Sequence, residues 1–263
     1  MTEEFIVTKE YRRFIEFCDA CKRERYIGLC YGPAGVGKTL SARHYSKWDI
    51  VEPRLPRYVN HLPLPPEITS CNSAFYTPSV VNTPRAIADD IKEIRLMLSR
   101  FVFEAKIRPE DPITYGLPLD VCQLLIVDEA ERLNMNGLEQ VRVYDRGRMG
   151  LVLIGMPGLE KRLSRFAQLY SRVGFAHPFQ PLSKEEMLFL LQHKWRQLGI
   201  TLECDDFTDA EATAAVICIT NGNLRLVQRL FTQIARILHI NGMRTITREV
   251  VEAARECLVI GTV

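Results

Sequence analysis

Two hydrophobic patterns divide this chain. Up to Pro181, short runs that are almost wholly apolar alternate with longer stretches in which apolar residues recur every three or four positions; beyond it only the helical spacing continues. The short runs predict strands at Tyr26–Tyr31, Ser73–Thr77, Cys122–Val127, Leu151–Ile154 and Val173–Ala176. Between and around them the spacing predicts helices over Thr8–Arg23, Lys38–Lys47, Pro84–Ile107, Asn136–Asp145 and Leu159–Leu169. In the long helix that opens at Pro84, Ile87, Ile91, Ile94, Leu98 and Phe101 form one buried face, and Pro84 suits a first helical turn. Glu52–Cys71, rich in proline, reads as a surface excursion, and Arg108–Leu119 as another proline-containing loop. Strands alternating with helices predict an α/β fold with a central parallel sheet covered by helices on both faces. Helices over Lys184–Gln197, Thr208–Thr220, Leu224–Asn241 and Thr247–Leu258 then predict a small all-helical appendage, so the expected division is residues 1–181 and 182–263.

Composition adds limits more than identity. A chain of 263 residues has room for one large core and a small second one. A formal net charge of +2 does not by itself mark a nucleic-acid binder. No stretch reaches the ~20 apolar residues of a membrane span and the first residues carry charges of both signs, so the expected location is the cytoplasm, without membrane association. The eight cysteines are scattered, which favours reduced thiols. Cys18 and Cys21 form a CxxC, but no second pair or histidines at zinc-ligand spacing accompany it, so both are read as helix-core residues.

Gly32–Thr39 reads GPAGVGKT and sits between an apolar strand and a helix. This is the phosphate-cradling pattern G-x-x-x-x-G-K-[ST], in which glycines turn backbone N–H groups inward and the helix N-terminus favours an anion. The expected nucleotide contacts are Gly32, Pro33, Ala34, Gly35, Val36, Gly37, Lys38, Thr39 and Leu40, with Lys38 at the β- and γ-phosphates and Thr39 on magnesium. Far downstream, LLIVDEAERL places Asp128 and Glu129 at the carboxyl end of a buried strand, the edge where ligands bind in open parallel sheets. Asp128 is the expected second magnesium ligand and Glu129 the residue that orients or deprotonates the attacking water of ATP hydrolysis. Either motif alone could be a glycine-rich turn or a solvated strand end; together, in this order, they point to an ATPase using ATP and Mg²⁺.

These segments, with LVLIGMPGLEKRL and FAQLYSRVGF before a helical region, resemble the AAA+ regulators of DNA transposition called TnsC, TniB and MuB, from about Thr8 to Leu238. The resemblance implies a AAA+ P-loop fold whose C-terminal helices form a lid. It implies that Arg172 extends as an arginine finger to a neighbouring subunit's ATP, with Arg165 as the alternative, and that Arg225 in GNLR is the sensor-2 arginine. It also implies a homo-oligomer, ring or filament, formed with ATP around or along double-stranded DNA without sequence preference, with hydrolysis driving disassembly. The implied partners are a transposase and a target-selection protein. Thr83 and Arg85 are the DNA contacts the resemblance suggests. One family feature is missing: Ile154-Gly155-Met156-Pro157 offers no polar sensor-1 side chain, which implies slow hydrolysis.

The basic residues of the long helix after Pro84 are interleaved with Asp89, Asp90, Glu93 and Glu104 and read alone as a solvated face. Between Ala212 and Arg248 there is no acidic residue, while Arg225, Arg229, Arg236, Arg244 and Arg248 are present. A second class of function stays open on these residues: an adaptor or loader that uses ATP as a switch to hold a protein partner, like helicase loaders or ExeA.

Overall fold

A computed structural model describes residues 5–55, 63–106, 119–142, 149–203 and 206–258. Elements follow the chain as α1 (Lys9–Glu24), β1 (Ile27–Tyr31), α2 (Lys38–Ser46), α3 (Trp48–Val51), β2 (Ser73–Tyr76), α4 (Pro84–Lys106), β3 (Leu124–Val127) and α5 (Met135–Arg142). They continue as β4 (Gly150–Gly155), α6 (Leu159–Leu163), α7 (Ala167–Tyr170), β5 (Val173–Pro178), α8 (Lys184–Gln197), α9 (Phe207–Thr220), α10 (Leu224–Asn241) and α11 (Arg248–Glu256).

The five strands form one parallel sheet in the order β2-β3-β4-β1-β5. β3 and β4 are buried at every position, as all-apolar strands covered on both faces must be. β5, at an edge, alternates instead between exposed positions and covered ones, of which only His177 is fully buried. Because β4 lies between β1 and β3, the loop after β1 and the acids after β3 emerge from the same carboxyl edge, separated by one strand.

Where the structure departs from the sequence pattern, burial explains it. Leu159–Leu169 is two short helices rather than one, broken over Ser164–Phe166. Leu159 and Leu163 share a helical face but Leu169, six residues on, falls on the other side; the break lets all three be buried. After α2, Lys47 takes φ 53°, and the turn α3 then sinks Trp48 and Val51 into the core. The proline-rich stretch that follows contains 3₁₀ turns at Glu52–Arg54 and Pro66–Ser70. Ile94, expected on the buried face of α4, is half-buried, while Ser99 and Val102 are buried. The end of the expected helix beyond Arg142, the Ile107 end of α4 and most of the Arg108–Leu119 loop lie outside the described residues.

The chain divides into two compact units. One comprises Tyr11–Gly32 and Lys38–Phe179 and holds the sheet; the other comprises the residues before Tyr11, Pro33–Gly37 and the chain from Gln180 onward. The helical unit has its own core around Trp195, Leu191, Val216, Leu230, Ile234 and Val251. Each of its helices starts with a side-chain cap: Ser183 with Glu186 in a reciprocal capping box, Asp206, Asn223 and Thr247. Such caps contribute about 1 kcal/mol each. Asn221 and Gly242 end α9 and α10 in the left-handed conformation. Cys18 and Cys21 are buried thiols on α1, and burial pushes the Cys21 thiol up to about 12.

Candidate active site

In the sheet unit, three of the expected residues meet. β3 delivers Asp128, which is 4% exposed, and the Thr39 hydroxyl at the start of α2 donates to Asp128 Oδ2 at 2.6 Å. The Glu129 N–H donates to Asp128 Oδ1 at 2.9 Å. Burial raises the Asp128 carboxyl above its ordinary value, and these two hydrogen bonds and the Lys38 charge oppose that rise. Hydroxyl and carboxylate oxygens this close are hard donors of the kind a magnesium ion takes, with the remaining positions left to water and phosphate. The residues therefore fit the ion. Lys38 is buried, and its ammonium donates to the Gly32 carbonyl at 2.6 Å.

Glu129 adopts φ 49°, an uncommon conformation for a glutamate. Its carboxylate is ion-paired with Arg132 three residues on. Arg132 is itself fixed, since its Nη1 donates to the Pro78 carbonyl at 2.9 Å and its own carbonyl accepts from Asn82 Nδ2 at 3.3 Å. The residue bearing the expected water-activating carboxylate is thus tied to the loop between β2 and α4.

Arg162 on α6 holds the same turn from the other side, with Nη1 donating to the Glu131 carbonyl at 2.7 Å and Nη2 donating to the Leu133 carbonyl. At Gly155, the end of β4, an added Cβ would come within 2.5 Å of Glu131 Oε2. The place from which a sensor-1 side chain would project is therefore filled by a carboxylate from the neighbouring turn. Glu131, Arg132 and Arg162 were visible in the sequence only as DEAERL and LEKRL. The Glu129–Arg132 spacing is the one signal that foreshadowed a pair.

In the helical unit, Gly35 and Gly37 take φ 81° and 107°, the left-handed backbone that lets a phosphate loop turn its amides inward. Asn223 Nδ2 donates to the Ala34 carbonyl at 2.8 Å, and the Arg225 N–H donates to the Gly35 carbonyl at 3.1 Å. The same Asn223 caps α10 by accepting from the Leu226 N–H. A Cβ on Gly35 would lie 2.4 Å from Asn223 Oδ1 and 3.0 Å from the Arg225 Cβ. GNLR therefore grips the loop through Asn223 and a backbone amide, while the Arg225 side chain is exposed. Of the other expected nucleotide contacts, Pro33 and Ala34 are exposed, Leu40 is 52% exposed, and Val36 is buried, so it offers its backbone alone.

The remaining expected residues stand apart from this cluster. Arg172, between α7 and β5, and Arg165, between α6 and α7, are both exposed. Thr83 caps α4, its hydroxyl accepting from the Ala86 N–H at 3.2 Å, and Arg85 projects into solvent within 3.9 Å of Asp89.

Residues 21–163 match the AAA domain family. The chain belongs to this AAA family. It is 45% identical to a potential ATP-binding protein of Staphylococcus aureus over 270 residues, covering 98% of both chains. Among solved structures it is similar to the RuvB Holliday junction branch migration motor of Thermotoga maritima, with a TM-score of 0.58, 17% identity, and 99% and 72% of the two chains covered. It is also similar to the ORC2 protein of Aeropyrum pernix in ADPNP and ADP complexes, with a TM-score of 0.60, 14% identity, and 100% and 70% covered. These likenesses agree with the sheet order and the helical C-terminal region: the fold is that of AAA+ P-loop ATPases. Among the described residues no helix is long and apolar enough to cross a membrane.

Proposed function

We propose that this AAA-family ATPase is an oligomeric regulator of DNA transposition, which binds duplex DNA in its ATP form, engages a transposase and a target-selection protein, and leaves DNA on hydrolysis. In this reading Lys38 neutralises the terminal phosphates, Thr39 and Asp128 hold magnesium, and Glu129 accepts a proton from the attacking water. Magnesium would supply charge neutralisation at the phosphates when bound. Arg172 reaches a neighbouring subunit's nucleotide, which makes turnover depend on assembly, and Arg225 reports the nucleotide to the lid. Thr83 and Arg85 contact the DNA backbone, giving affinity without sequence preference and a strong salt dependence.

The observation that carries the link to DNA is the tie between Glu129 and the β2–α4 loop. Arg132 joins the Glu129 carboxylate to Pro78, and Asn82 joins the same turn, immediately before Thr83. A ligand that shifts this loop moves the group that restrains the base. RuvB, described as a Holliday junction branch migration motor, shares the fold.

Hydrolysis measured with and without random-sequence duplex DNA, in the wild type and in Arg132→Ala, tests this coupling. We expect DNA to raise the wild-type rate severalfold and to leave the variant's rate unchanged, at a level set by an unrestrained Glu129. Equal stimulation in both proteins would remove Arg132 from the coupling, and no stimulation in either would remove DNA.

A further inference from the structure

The phosphate loop turns back on itself at Ala34 and Gly35, the two central residues of a turn. The Gly35 φ of 81° is the value a type II turn asks of its third residue. Turns of types I and II differ by a flip of the peptide unit between their central residues, here the unit that carries the Ala34 carbonyl and the Gly35 N–H. Among the described residues no peptide bond is cis, so these two groups point in opposite directions. Whatever fixes the Ala34 carbonyl therefore also aims the Gly35 N–H.

The start of α10 fixes it. Asn223 Nδ2 donates to the Ala34 carbonyl at 2.8 Å, while Oδ1 of the same side chain accepts from the Leu226 N–H at 3.2 Å. Both partners are backbone groups with one possible role each, which settles the way the side-chain amide faces. The next peptide unit is held from the same side, the Arg225 N–H donating to the Gly35 carbonyl at 3.1 Å. Asn223 is anchored from behind, for its own N–H donates to the Thr220 carbonyl at 2.8 Å and the Leu182 N–H donates to the carbonyl of the preceding Gly222 at 3.0 Å. All of these residues belong to the helical unit.

With the Ala34 carbonyl turned to α10, the Gly35 N–H faces the other side of the turn. A flipped peptide unit would bring that N–H to Asn223 Nδ2, donor against donor, so the side chain selects one orientation of the two. An amide held in this way donates to a bound phosphate oxygen without first having to be ordered.

We infer that Asn223 is a positioning residue for nucleotide, which acts through the Ala34 carbonyl to keep the Gly35 N–H directed at the phosphates. The Arg225 side chain takes no part in this contact. The inference rests on nucleotide binding alone and is independent of the transposition reading.

Asn223→Asp and Asn223→Ser test it on the full chain. Aspartate and serine cap a helix about as well as asparagine, but an ionised aspartate has no donor and the serine hydroxyl stands a bond short of Nδ2. We expect both variants to unfold near the wild-type temperature without nucleotide and to bind ATP roughly 10- to 100-fold more weakly by calorimetry, the scale of one hydrogen bond to a charged group. In steady-state hydrolysis Asn223→Ser should raise KM and leave kcat near the wild-type value, the split expected when a contact is made equally in the ground and transition states. Wild-type ATP affinity in both variants overturns the inference, as does a fall in kcat with KM unchanged. Weakening in only one variant also overturns it; in Asn223→Asp alone it would be repulsion by the new charge. Weakening accompanied by a lowered unfolding temperature in both makes Asn223 a helix cap only and overturns it as well. A wild type that binds no ATP would overturn the nucleotide assignment itself together with this inference.

Discussion

Replacing Glu129 by glutamine should lower ATP turnover by roughly 10²- to 10³-fold, within the range expected for loss of a general base, while ATP binding stays near the wild-type level. The substitution keeps the volume and removes both the negative charge and the ability to take a proton from water. The Asp128–Thr39 contact does not involve the Glu129 carboxylate, so the residues proposed to hold magnesium stay in place. The lost Arg132 ion pair joins side chains that are 35% and 44% exposed, a setting in which such pairs contribute at most about 1 kcal/mol. If hydrolysis drives disassembly, the same variant remains on DNA after ATP addition. Single-turnover hydrolysis and the rate of release from labelled duplex measure the two halves separately. Normal release by a variant that no longer hydrolyses would disconnect turnover from disassembly.

Lys38→Ala should abolish productive nucleotide binding, weakening ATP by about 100-fold or more, the scale on which preorganised charged groups act on phosphates. The ammonium is buried and already directed at a backbone carbonyl of its own loop, so the loss is specific to the loop's anion contact. Thermal unfolding reads it directly. At an ATP concentration 100 times the wild-type dissociation constant, binding stabilises the native state by about 2.7 kcal/mol, and that increment falls to about 0.4 kcal/mol or less in the variant. Without nucleotide the two proteins should unfold at similar temperatures, because the alanine removes a buried charge along with its hydrogen bond. A variant that keeps the ATP-induced shift would place the phosphates elsewhere.

How much of this could be read from the amino-acid order follows from the range of each interaction. Strand runs such as LLIV and the GPAGVGKT loop declare themselves locally, through burial of consecutive apolar residues and through glycines that permit positive φ. The phosphate loop and the paired acids were therefore legible, as was the all-helical end. The partnerships were not. Asn223 reaches Ala34 across 189 positions, and Glu131 takes the space beside Gly155 because the sheet sets β3 against β4. The four-residue turn that buries Trp48 is too short for any period to register, and Leu159–Leu169 breaks because six residues do not return a helix to the same face. Arg172 and Arg85 remain exposed side chains whose proposed roles require a second subunit or DNA.

Sedimentation of the purified chain with a slowly hydrolysed ATP analogue, with and without random-sequence duplex DNA at low and moderate salt, tests the central claim most directly. ATP-dependent assembly on DNA predicts rings or filaments that form with both ligands and weaken as salt rises. A species that binds the analogue but stays monomeric with DNA present would contradict it.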